Sequence, residues 1–347
     1  MGKKQPEKRE VDFSKLNFAR LAHNYFQETR GGDYTLDDLN VLNSYVNYLF
    51  DQKNHNLPKY KVGLMFVCIN PPYWQYAEPV VRGAKSLFLP DHDVEVMMWS
   101  DIEGYTKIPP TNDEEKESQQ QIQALDKMLR DDLNVTIFKT DSIEWPYPTL
   151  MRYHLFLGEE EYLKKFDYVF YLDLDMRIVN IVGDEILGDG LTAAQHPMYA
   201  LDRKFCPPYE PNPDSASYIP RPGKVIEKDG KKMFEPLYFA GGFQGGKTDQ
   251  FIEAMKGTKA LIDKDLDRNY VPIWNDESAW NRYLFENPPS TVLDPSYVYP
   301  DSMIEQYYTK IWGRNYPPKI ITLTKPFTTS NEGGEAAAQM VNQMQNL

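Results

Sequence analysis

Apolar residues recur along this chain in two rhythms. Short unbroken runs alternate with stretches in which every third or fourth position is apolar. Val62 to Ile69 (VGLMFVCI) is one such run. A segment this apolar and this rich in strand formers is buried on both faces, as in the central strand of a largely parallel sheet. Asn70-Pro-Pro breaks it, and Tyr73 to Phe88 then reads as a helix carrying Val80, Val81, Ala84, Leu87 and Phe88 on one side. Val94 to Trp99, Val135 to Phe138 and Phe166 to Leu172 (FDYVFYL) follow as strands, with a polar helix over Asn112 to Leu129. This alternation predicts an α/β sandwich. Upstream, Phe13 to Lys53 reads as helices: Thr35 is an N-cap with Asp38 at N3, and Leu39, Leu42, Tyr45, Val46 and Leu49 recur at helical spacing. Beyond residue 200 the pattern loosens. Residues 206–223 read as a proline-rich loop, Leu237 to Ala240 as a short strand, and Thr248 to Gly257 as a helix closed by its glycine. Asp276 to Phe285 is a helix ended by Asn287-Pro-Pro, and Asn331 to Leu347 is polar and Gln-rich. The expected organisation is a helical extension at 1–58, an α/β domain at 59–327 and a polar tail at 328–347.

Composition narrows the function. Hydrophobic residues make up 41% and charged residues 26%, enough apolar material for a core and too much for wholesale disorder. The formal net charge of −13 disfavours a nucleic-acid partner, which would require a basic face. The first ten residues are charged and lack an apolar signal core, and no run of about 18 apolar residues occurs. Cys68 and Cys206 are the two cysteines, too few for a disulfide framework or a CxxC metal site. These features fit the cytoplasm and predict no transmembrane segment. They leave oligomeric state open.

Candidate chemistry is concentrated in three places. Asp173-Leu-Asp175 follows the strand FDYVFYL. Side chains at i and i+2 of extended chain share a side, so two carboxylates converge past the carboxyl end of a buried strand, where open α/β sheets bind ligands. Such hard oxygens suit Mn²⁺ or Mg²⁺ completed by phosphate oxygens. Gly241 to Thr248 (GGFQGGKT) fits the GxxxxGK[ST] pattern of a phosphate-cradling loop, with Lys247 on the phosphates. The alternative is that its glycines let the backbone approach a ligand closely. Trp274-Asn-Asp276-Glu277-Ser opens a helix and sets an aromatic sugar platform beside two acids. Retaining glycosyl chemistry uses a carboxylate as nucleophile or as stabiliser of an oxocarbenium-like transition state. Two acidic clusters fail the calcium-loop test. Position six is Ile178 in one and Arg268 in the other, where glycine is needed, so Asp263, Asp265, Asp267 and Asn269 read as a solvated helix end or loop. Without a secretion signal, Asn134-Val-Thr reads as a chance glycosylation sequon.

FDYVFYLDLDM, AQHP (194–197), SYIP (217–220), YFAGGFQGG (238–246), IWNDESAWNRYL (273–284) and Lys325, in this order, resemble glycosyltransferase family 6. That family includes the blood-group A and B transferases and α-1,3-galactosyltransferase. The resemblance implies a GT-A fold, a Rossmann-like, mostly parallel sheet flanked by helices. It also implies a metal-dependent, retaining transfer of N-acetylgalactosamine or galactose from a UDP-sugar in α-1,3 linkage. The acceptor would be a β-galactoside glycan, with or without fucose. By resemblance, Asp173 and Asp175 hold Mn²⁺, with Mg²⁺ as the alternative, against the UDP diphosphate. Val67, Cys68, Ile69 and Tyr73 sit at uracil and ribose, and Trp145 covers the donor. Arg152 and Asp276 hold donor hydroxyls, Ala240, Gly241 and Gly242 line the donor site, and Lys325 binds the diphosphate. Glu277 is the carboxylate on the β face of the sugar and also meets the acceptor, with His196 and Trp274. Ala240 and Gly242 are small, which leaves room for an N-acetyl group and favours UDP-GalNAc. Asn275 stands where the family usually has histidine, and no arginine follows Lys325. The lack of an anchor is similar to the soluble bacterial or viral-type members. The competing readings are a P-loop NTPase built on GGFQGGKT and a non-catalytic glycan-binding protein of the same fold.

Overall fold

The computed structural model describes residues 7–8, 58–197, 208–220, 225–228, 231–234, 237–301 and 318–325. The helices expected over 13–53, the polar tail and Cys206 lie outside the described residues.

Seven strands form the main sheet. In chain order they are β1 (Lys61–Cys68), β2 (Asp93–Ser100), β3 (Thr136–Lys139), β4 (Tyr168–Leu172), β6 (Leu191–Gln195), β7 (Phe239–Lys247) and β8 (Thr291–Leu293). Another strand, β5 (Met176–Ile178), leaves the end of β4 for a small second sheet with β9 (Tyr299–Pro300) and β10 (Ile320–Thr322). The spatial order of the main sheet is β8-β6-β7-β4-β1-β2-β3. Neighbours are parallel except at β7, which runs against both β4 and β6. β1 lies inside the sheet and is buried from Val62 to Phe66, as a run without polar alternation requires.

Both faces of the sheet carry a core. On one, Val62, Leu64 and Phe66 pack with Val80, Val81, Ala84 and Leu87 of α1 (Ala77–Leu87). On the other, Met65, Met97 and Trp99 pack with Tyr153 and Phe156 of α3 (Arg152–Gly158). Phe251 and Met255 of α4 (Thr248–Leu266) and Trp280 of α5 (Asp276–Glu286) complete that second core. The polar helix α2 (Asp113–Lys127) buries none of its residues. Its start is fixed by Asn112, whose side chain accepts from the Glu115 N–H at 2.8 Å. The result is the expected mostly parallel α/β sandwich with a GT-A-like arrangement.

Four sequence expectations need correction. The helix expected over Tyr73 to Phe88 is split, a single turn at Pro71–Trp74 preceding α1. Gly257 does not close a helix; α4 runs on to Leu266, and a Cβ at 257 would lie 2.3 Å from the Tyr283 ring of α5. The glycine is there for interhelical packing. The short strand at 237–240 is the start of nine-residue β7, which absorbs the whole GGFQGG segment. Its backbone is engaged in a ladder with β4 and β6, so it is not a loop wrapped around phosphate. Asp265 is fully buried rather than solvated.

Candidate active site

The carboxyl ends of β1 and β4 reach the same edge of the sheet, and antiparallel β7 begins there. A pocket at this edge is lined by Val67, Ile69, Tyr73, Trp145, Arg152, Asp173, Asp175 and Lys325, together with Pro148, Thr149, Tyr171 and Leu174. Eight residues singled out from the sequence therefore converge from five separate segments. Cys68 is not among them. It is fully buried in the core against α1, and burial pushes its thiol far up. Alternation along β1 explains the split, since Val67 and Cys68 face opposite sides.

Arg152 organises the charges. The residue is 4% exposed, and its guanidinium lies 3.2 Å from Asp173 Oδ1 and 3.3 Å from Asp276 Oδ2 and stacks 4.4 Å over the Tyr171 ring. Asp173 Oδ1 also accepts a hydrogen bond from the Tyr171 hydroxyl. Burial pushes the Asp276 carboxyl up to about 7, against the pull of Arg152. Among the described residues Glu277 has no cation of its own. Its Oε2 accepts from the Gly241 N–H at 2.7 Å and its Oε1 from the Tyr238 hydroxyl at 2.8 Å. Burial raises it to about 7 although both donors lower it. Gly241 is needed for this approach, because a Cβ there would press on Glu277 Cβ at 3.2 Å.

Asp175 is 5% exposed, and its Oδ2 lies 2.8 Å from Lys325 Nζ. Burial and the Asp173 charge raise its carboxyl while Lys325 lowers it. The cation already at this carboxylate is a lysine ammonium from far along the chain. Two hard carboxylates suit a divalent ion. Among the described residues no group of three His, Cys, Asp or Glu side chains is placed to hold a metal. A metal here would take its remaining ligands from diphosphate and water. The residues fit such an ion on that condition.

Gly242 serves this carboxylate pair. A Cβ at 242 would lie 2.3 Å from Met176 Cε and 2.9 Å from Asp173 Oδ2. Ala240 is 7% exposed and packs in the core shared with α1. The residues assigned to the acceptor do not line the pocket. His196 and Trp274 both gather around Tyr238, the donor to Glu277. The His196 ring packs edge-on to Tyr238 at 5.7 Å, and burial lowers its pKa to about 4, so it is neutral near pH 7. Trp274 packs against Tyr209, Ile219 and Tyr238, and its Nε1 donates to Pro208 O at 2.9 Å.

Several residues of the site escaped sequence reasoning. Tyr171 was legible, because it is two positions before Asp173 in the strand and shares its side. Tyr238 and Gln244 gave no such signal. Gln244 is fully buried, accepts from Tyr153 and donates to Gly241 O at 2.8 Å, bonding the same residue whose N–H holds Glu277.

A mostly parallel sheet with paired acids at a strand end, and a second acid pair facing them across an arginine, defines a GT-A-like protein. The chain belongs to glycosyltransferase family 6, whose model matches residues 129–311. It is 32% identical over 147 residues to histo-blood group ABO system transferase 1 of Rattus norvegicus, covering 42% of this chain and 39% of that protein. It is 35% identical over 138 residues to globoside alpha-1,3-N-acetylgalactosaminyltransferase 1 of Gallus gallus, covering 40% and 37%. O-antigen biosynthesis glycosyltransferase WbnI of Escherichia coli is 27% identical over 194 residues, covering 56% of this chain and 74% of that protein. The chain spans about two-fifths of the length of the first two relatives. Among the described residues no helix is long and apolar enough to cross a membrane.

Proposed function

We propose that this protein transfers N-acetylgalactosamine, in preference to galactose, from its UDP-sugar to a β-galactoside glycan in α-1,3 linkage with retention. The observation that carries this reading is the Arg152 bridge between Asp173 and Asp276, with Glu277 half-buried beside it. It joins the carboxylates of the pocket to those of the helix opposite. Val67, Ile69, Tyr73 and Trp145 would hold the nucleoside side of the donor. Asp173 and Asp175 would hold Mn²⁺, which when bound neutralises the diphosphate leaving group. Lys325 would turn from Asp175 to the diphosphate. Arg152 and Asp276 would fix donor hydroxyls. Glu277, held with its charge unpaired by a cation, would face the anomeric carbon and stabilise positive charge there.

The preference for UDP-GalNAc rests on the names of two relatives, which are globoside N-acetylgalactosaminyltransferases. The test is product analysis with both donors, Mn²⁺ and a panel of β-galactosides. Proton NMR should show an α linkage, EDTA should abolish transfer, and competition should favour UDP-GalNAc. A β product, or full activity in EDTA, would overturn the mechanism or the metal respectively.

A further inference from the structure

Glu210 and Asp265 are buried carboxylates outside the pocket with no cation partner among the described residues. Glu210 is 1% exposed, and Asp265 is fully buried. A buried charge is tolerated only when its lone pairs are filled. Glu210 Oε1 accepts from the Asn212 N–H at 2.9 Å and the Tyr270 hydroxyl at 2.7 Å, and Oε2 accepts from the Ile273 N–H at 2.7 Å. Asp265 accepts from Ser215 Oγ at 2.8 Å, the Ala216 N–H at 2.7 Å and Ser217 Oγ at 3.1 Å. Every one of these donors lies either in the segment 208–220 or in the turn 270–273 that leads into Trp274 and α5. The same segment carries Pro208, the acceptor for the Trp274 indole, and Tyr209, which packs on Tyr238 at 5.6 Å.

We infer that Glu210 is a positioning residue. It fastens the 208–220 segment to the turn before α5, and so fixes Trp274 and Tyr209, which with the sheet-held Tyr238 form the wall against which the acceptor sugar is held. Asp265 anchors the far end of the same segment. This rests on the transferase reading of the site and adds to it where acceptor affinity is set. The donor pocket is built from other segments, so loss of Glu210 separates the two substrates.

Glu210→Gln keeps the shape and places an amide N–H against the Ile273 N–H or the Asn212 N–H, leaving one backbone donor unpaired. Tyr270→Phe removes one of the three bonds and keeps both backbone ones. The measurements are transfer to lactose and 2′-fucosyllactose across acceptor concentration, and hydrolysis of UDP-GalNAc without acceptor. Glu210→Gln should raise the acceptor KM by about tenfold or more, and Tyr270→Phe by about two- to threefold. Donor KM and hydrolysis should stay within about twofold in both variants. An unchanged acceptor KM in either variant, or an equal loss of hydrolysis and transfer, overturns the inference. A wild-type protein that neither hydrolyses nor transfers the donor sugar removes the transferase reading, and this inference with it. Should Glu210→Gln fail to fold, Tyr270→Phe alone decides.

Discussion

Glu277 shows how one side chain ties stability to chemistry. Its carboxyl sits at about 7 because burial disfavours its charge more than Gly241 and Tyr238 favour it. The groups facing it are Tyr238, Arg152, Asp173 and Asp276. A carboxyl raised in the folded state binds its proton more tightly there than in the unfolded chain. Its contribution is therefore complete below the ordinary value near 4.5 and declines as pH rises toward about 7. Glu277→Gln should stabilise the protein above pH 7, by at most about 3 kcal/mol, and do little at pH 4. Urea unfolding at the two pH values tests this. The same variant should lose at least about a hundredfold in turnover while binding UDP normally, since only the charge is removed. If ionised Glu277 is the working form, wild-type turnover falls as pH drops through about 7. Gly242→Ala tests a different idea. The space it would fill belongs to Met176 and to an Asp173 held by Arg152 and Tyr171. Transfer should fall about tenfold or more with both donors and their ratio should not change. A shift toward UDP-Gal without loss of activity would instead make position 242 part of the sugar wall.

The glycines of β7 answer to the sheet. Gly246 has φ +136°, and a Cβ there would lie 2.2 Å from the carbonyl oxygen of Gly190 on the strand side, a backbone atom that cannot turn away. Gly246→Ala should cost about 2–4 kcal/mol of stability by denaturant unfolding. Lys247, which completes the phosphate-loop pattern in the sequence, is 43% exposed at its side chain and lies 3.3 Å from Asp189. Such an exposed pair is worth little, so Lys247→Ala should leave transfer and UDP affinity within about twofold. Calorimetry should give no tight Mg-ATP binding. The strand β4 and its two acids were legible because a run of buried residues followed by DxD uses local signals only. The identity of GGFQGGKT was not, because a strand of glycines and a glycine loop share one composition and differ only in what lies alongside. Asp265 was misread for the same reason: its three donors lie about fifty residues upstream. Spacing along one helix could not reveal them.

The pocket gathers side chains from β1, β4, α3, the 145–149 segment and the stretch after β10, so a ligand bridging them ties distant parts of the chain together. UDP with Mn²⁺ should raise the melting temperature, corresponding to about 2.7 kcal/mol at a hundredfold excess over its Kd, and EDTA should remove the shift. A shift that survives EDTA would assign UDP binding to the residues alone. The direction of β7 has a further consequence. Both neighbours in the ladder, Gln195 at the end of β6 and Phe239 at the start of β7, lie at the edge that holds the pocket. The whole stretch joining them leaves and returns on that side. Changes in its length or sequence therefore reach the rim beside Tyr238 and Trp274 without passing through the hydrophobic layers. One reversed strand makes that rim an exchangeable part: its sequence can change while the sheet and the acid pair stay as they are.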